Sequence, residues 1–154
     1  MGRVATMPGV EEIRISADVP ATPEVAWQLF TDHRGWERWS GAKEVVLRQE
    51  GDPAPNGLGA IRVLRARGLA IEEEVTAFDA PRRMAYRVVA GVPIRDHRGE
   101  VEFVGSGAGT EVSWSIRFRP LIPGTGGLLR RVFQRVLEAI LRRFAEELRG
   151  RETG

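Results

Sequence analysis

The sequence predicts an α+β domain in which a curved antiparallel sheet of seven strands wraps around a long C-terminal helix, with two short helices between strands 1 and 2. Three observations carry this. Between residues 43 and 120, apolar residues alternate in six runs separated by hairpin-length turns. A strand-like run and a capped helix start precede them, and a long amphipathic run follows.

Taken in order, VEEIRISADV puts Val10, Ile13, Ile15 and Ala17 mostly on one face, as in a strand. PATPEV then supplies Thr22 as a helix N-cap with Pro23 at the first helical position. The helix through EVAWQLFTD is expected to bury Val25, Leu29 and Phe30, and GWERWS reads as a second helical turn. The six strands are KEVVLRQE, LGAIRVLRAR, LAIEEEVTAF, MAYRVVA, IRDHRGEVEFV and TEVSWSIRFRP, broken by GDPAPNG, Gly68, DAPRR, GVP and GSGAG. Connections this short make an antiparallel meander the economical topology. The final helix, about 128–149, would span roughly 33 Å. Its apolar stripe comprises Leu129, Val132, Phe133, Val136, Leu137, Ile140, Leu141, Phe144 and Leu148. Curling the sheet around that stripe satisfies both apolar faces and leaves either core or cavity between them.

At 154 residues, with 42% hydrophobic and 29% charged residues, the chain reads as one domain over 1–154 with its core at about 10–149. A net charge of +2 beside 22 arginines and the single lysine, Lys43, does not force polyanion binding. Arginine almost without lysine suits the composition of a GC-rich bacterial genome. No nucleic-acid module or basic face with interleaved aromatics is present, so no nucleic-acid partner is expected. There is no cysteine, which excludes disulfides, thiolate metal sites and a cysteine nucleophile. MGRVATMPGVEEIR has no apolar signal core, and no run approaches the roughly 18 apolar residues of a spanning helix, so the expected location is the cytoplasm without stable membrane insertion. MGRVAT fits the loose myristoylation pattern through Gly2 and Thr6, a match too short to carry weight.

Hairpin register indicates which side chains face inward. A turn centred on Arg67 and Gly68 sets Arg62 opposite Glu73, with Ala60, Leu64, Ile71 and Val75 on their face. Alternation then carries Met84, Tyr86 and Val88, then His97, Val101 and Phe103, and finally Val112, Trp114, Ile116 and Phe118 inward. The inner set is apolar and aromatic except for Arg62, Glu73, Tyr86 and His97, the composition of a small-molecule pocket. Arg62 and Glu73 either satisfy each other or anchor a ligand. His97 beside Asp96 invites an acid/base reading, yet neighbours along a strand face opposite sides and no third group completes a relay. Tyr86 and Trp114 read as core aromatics, Trp36 and Trp39 as a seal at the short-helix corner, and His33 as a solvated turn residue. Two distant histidines make no metal site, and no cofactor is implied. PGTGG lacks the Lys-Ser/Thr ending of a phosphate loop and reads as the entrance to the long helix, a gate beside the cavity mouth.

The order of elements, with ADVPATPEVAWQLFTD, GWERWSG, NGLGAIRVLR, EEEVTAFDAPRRMAYRVV and DHRGEVEFVGSGAGTEVSWSIRFRP, resembles the START-like helix-grip superfamily (SRPBCC) over residues 10–148. It looks closest to bacterial proteins grouped as polyketide cyclase/dehydrase and lipid-transport-like. That resemblance implies a cavity binding a hydrophobic small molecule, lipid or polyketide-like, and the inward polar residues suggest that it bears an oxygenated or acidic group. Arg62, Glu73, Tyr86, His97, Trp114 and Phe133 are the candidate ligand-binding residues. The alternative it implies is a polyketide aromatase/cyclase or dehydratase, with His97, Tyr86 and Arg62 as candidate catalytic groups. A third reading, an interaction module, uses Ile61 and Val63, expected to be exposed on the outer sheet face, to support a homodimer.

Overall fold

Thr22 opens the first helix as its hydroxyl suggests. Its Oγ1 accepts the Val25 N–H at 3.3 Å, and Pro23 follows at the first helical position, satisfying one of the amide donors that a helix start leaves free. The computed structural model describes residues 9–152, so the Gly2 and Thr6 pattern lies outside the described residues. In chain order they form β1 (Glu11–Val19), α1 (Pro23–Thr31), α2 (Trp36–Trp39), β2 (Glu44–Gln49), β3 (Ile61–Ala66), β4 (Leu69–Asp79), β5 (Arg83–Ala90), β6 (Ile94–Ser106), β7 (Gly109–Pro120) and α3 (Gly126–Glu152). The sheet runs β1-β7-β6-β5-β4-β3-β2, antiparallel throughout, so the first strand closes onto the last.

The hairpin turns fix which face is which. Ala66 pairs with Leu69 across Arg67 at φ 49 and Gly68 at φ 79, the two positive angles of a tight turn whose twist matches its strands. Arg62 therefore lies opposite Glu73, and Leu64 opposite Ile71. On the same face, Met84, Tyr86, Val101, Phe103, Val112, Trp114 and Phe118 are buried. α3 packs mainly along β1 and buries Leu137, Leu141, Phe144 and Leu148. Phe30 of α1 sits at the centre of the core, edge-on to Trp36, Phe103, Trp114 and Phe144 at 5.1–5.6 Å between ring centres, a favourable aromatic arrangement.

Five expectations need correction. Val25 is 44% exposed, because the buried side of α1 is formed by Ala26, Trp27, Leu29 and Phe30. Val132 and Val136 are about half exposed, at the margin of the α3 stripe, and α3 itself starts earlier and ends later than 128–149. Ile61 and Val63 are buried on the outer face. They lie opposite Glu74 and Glu72, which are ion-paired with Arg87 and Arg48, and the aliphatic stems of such pairs cover apolar surface. His33, expected in solvent, has no exposed surface.

One irregularity shapes the site. Pairing of β6 with β7 slips between Arg95 and Arg98, with Asp96 at φ 53, a bulge that bends the strand and re-aims its side chains. The β5–β6 ladder accordingly stops at Tyr86 opposite Gly99. The Tyr86 ring lies across Gly99, in the space a Cβ would occupy there.

Candidate ligand-binding site

The charged centre of the site is the Arg62–Glu73 pair set by the β3–β4 register. Arg62 Nε and Nη2 reach Glu73 Oε1 at 3.0 and 2.9 Å. Both nitrogens converge on one oxygen, which leaves Oε2 outside this ion pair. Arg62 Nη1 donates to His33 Nδ1 at 3.1 Å, and the guanidinium carbon lies 4.3 Å from the Trp36 ring centre and 5.5 Å from that of Tyr86. The cation is thus fully engaged by a carboxylate, an imidazole and two aromatic faces.

His33 was not visible as a partner in the sequence, because its contacts lie far along the chain. Its backbone N–H donates to Asn56 Oδ1 at 3.2 Å and its Nε2–H to the Asn56 carbonyl at 3.0 Å. Since Arg62 donates to Nδ1, the ring is held neutral as the Nε2–H tautomer. Burial, and secondarily the Arg62 guanidinium, lower its pKa to about 3, against the Asn56 carbonyl bond that favours protonation. An isolated bridge between Asp52 and Leu58 folds the segment that presents Asn56.

His97 answers the break in the β5–β6 ladder. The Val88 N–H has lost its strand partner, and it donates instead to His97 Nδ1 at 3.1 Å. The imidazole is again the Nε2–H tautomer, and burial lowers its pKa to about 4. Asp96 does not orient it; that carboxylate points to Arg119, 3.7 Å away. The Tyr86 hydroxyl accepts from Trp114 Nε1 at 2.8 Å, keeping its own proton free to donate. Burial first, and then the nearby Glu73 carboxylate, push its pKa above the ordinary phenol value.

These groups surround a cavity of about 110 Å³ between the sheet and α3. Arg62, Glu73, Tyr86, His97, Trp114 and Phe133 all line it, together with Trp36, Leu64, Ile71, Val88, Val92, Ile94, Ile116, Val136, Leu137 and Ile140. Trp36 therefore does more than seal a corner: it stacks on Arg62 and forms part of the wall. Trp39 packs against Trp36, Phe30 and Phe144 and does not line the cavity. Among the described residues, no group of three or more His, Asp or Glu side chains is placed to hold a metal, and no helix is long and apolar enough to cross a membrane.

A seven-stranded antiparallel sheet gripping a C-terminal helix, with two short helices after the first strand, is the START-like helix-grip fold. A START superfamily protein from Mycobacterium smegmatis superposes with a TM-score of 0.78 at 10% identity, over 90% of this chain and 97% of that one, a likeness of fold alone. A Thermobifida fusca protein superposes with a TM-score of 0.75 at 26% identity, over 89% and 92% of the two chains. An uncharacterized protein of Mycobacterium tuberculosis is 28% identical over 143 residues, covering 88% of this chain and 81% of its own. Residues 11–149 match the family described as polyketide cyclase / dehydrase and lipid transport, and the chain belongs to that family.

Proposed function

We propose that this domain binds a hydrophobic small molecule in the cavity between the sheet and α3. The observation that carries this reading is a cavity with mostly apolar and aromatic walls and a few polar groups gathered on the β3–β6 side, as in sites where burial supplies affinity and a few hydrogen bonds supply orientation. Native mass spectrometry of the purified protein, followed by denaturing extraction, tests it. A co-purified apolar compound is the expected result. A protein that stays empty and takes up no apolar probe would overturn the reading.

The family description also motivates a cyclase or dehydratase reading, in which His97 or Tyr86 moves a proton. Binding is the better supported of the two. A proton carrier works best with a pKa near the operating pH, whereas burial shifts His97 well below neutrality and Tyr86 well above it. Loss of turnover of an identified substrate in His97→Ala and Tyr86→Phe would reverse that preference.

A further inference from the structure

The cavity is small and its polar wall is asymmetric, and together these features select a ligand class. At about 110 Å³ it is somewhat smaller than an engineered cavity of roughly 150 Å³ that accepts benzene. The space has room for about one ring, and it is open on one side, where half-exposed Val136 forms part of the wall, so a longer molecule would have to extend beyond it. Its walls include Trp36, Trp114 and Phe133, flat surfaces suited to a planar occupant.

The polar wall offers both donors and an acceptor. Glu73 lies opposite Val88, and the Val88 N–H is the group that holds His97, so the carboxylate and the imidazole flank the same backbone position. The bonds already made leave His97 Nε2–H, the Tyr86 O–H and Glu73 Oε2 over, and all three residues line the cavity. A ligand carbonyl would accept from the donors but leave Oε2 without a partner. A ligand carboxylate would bring a second negative charge beside Glu73, and Arg62 already spends three nitrogens on Glu73 and His33. An ammonium would have nothing with which to accept from His97. A hydroxyl both donates and accepts.

We infer that the buried end of the occupant is an uncharged ring carrying a hydroxyl group that donates to Glu73 Oε2 and accepts from His97 Nε2–H or the Tyr86 hydroxyl. This inference rests on the proposed binding role of the cavity. It narrows that end to a neutral phenol or cyclic alcohol and excludes the acidic group that a free arginine would have favoured.

The test is a titration of the wild-type protein with phenol, toluene and benzoate, followed through the methyl resonances of Leu64, Val88 and Ile140. Phenol and toluene have nearly the same shape, so their difference isolates the hydroxyl. Phenol is expected to saturate with a Kd about tenfold or more below that of toluene, as a hydrogen bond to a charged group allows, and benzoate to bind more weakly than either. In Glu73→Gln the preference for phenol over toluene should shrink; the wild-type comparison decides the matter if that variant does not fold. Equal affinities for phenol and toluene, or tightest binding of benzoate, would overturn the hydroxyl assignment while leaving the binding role standing. Shifts from none of the three compounds would overturn the assignment, and an empty protein by native mass spectrometry would then remove the binding role as well.

Discussion

At the scale of single residues, the site is organised around one buried cation. Arg62 is 2% exposed, and desolvating a guanidinium is tolerated only where partners surround it. Glu73→Ala removes the only carboxylate paired with it among the described residues and is expected to cost about 3–5 kcal/mol of stability by urea unfolding. Glu73→Gln retains an acceptor and should cost clearly less. The two buried histidines give the protein a characteristic pH response. Unfolded histidines bind a proton below about pH 6.5, whereas His33 and His97 resist protonation down to about 3 and about 4. Between these limits the unfolded state holds more protons, so stability is full above about pH 6.5 and falls as the pH drops. Unfolding curves at pH 7 and pH 5 should differ by about 2 kcal/mol for each histidine, and His33→Gln should remove its share. The Arg62–Glu73 register could be read from the sequence because a two-residue turn fixes it. The role of His33 could not, since Asn56 and Arg62 are 23 and 29 residues away and no local pattern joins them.

At the scale of elements, two local devices hold the cavity walls. The Thr22 cap sets the start of α1, which carries Trp27 and Phe30 into the core; Thr22→Ala should lower stability by about 1 kcal/mol. Gly99 provides the space in which the Tyr86 ring lies. Gly99→Ala is expected to displace that ring, weaken its bond to Trp114 and cost about 1–3 kcal/mol as an overpacked position, visible as lost stability and altered Trp114 indole fluorescence. Strand identities and faces were legible because apolar alternation and turn residues agree from β3 through β7. The β6 bulge was not: Asp96 takes a positive φ that no glycine announces, and the alternation merely pauses there. That pause is what turns His97 from a stranded polar residue into the acceptor for the Val88 N–H.

For the whole molecule, the sheet and α3 close into a packed core around Phe30 and leave a pocket beside it. The wide inner stripe of α3 was readable from its spacing, but whether the concavity would be filled depends on volumes contributed by all ten elements. Filling it deliberately provides a check. Leu64→Phe adds bulk to one wall and should abolish probe binding while costing less than about 1 kcal/mol, below the usual penalty for overpacking, because there is space to receive the ring. The outer face, with Ile61 and Val63 beneath ion-paired side chains, offers no apolar patch at those positions for a second copy. The most direct measurement is a crystal structure of the protein under xenon pressure, since xenon enters dry apolar cavities. Xenon is expected beneath α3, against Leu64, Val88, Ile116 and Ile140. Side chains filling that space, with no xenon bound there, would contradict it.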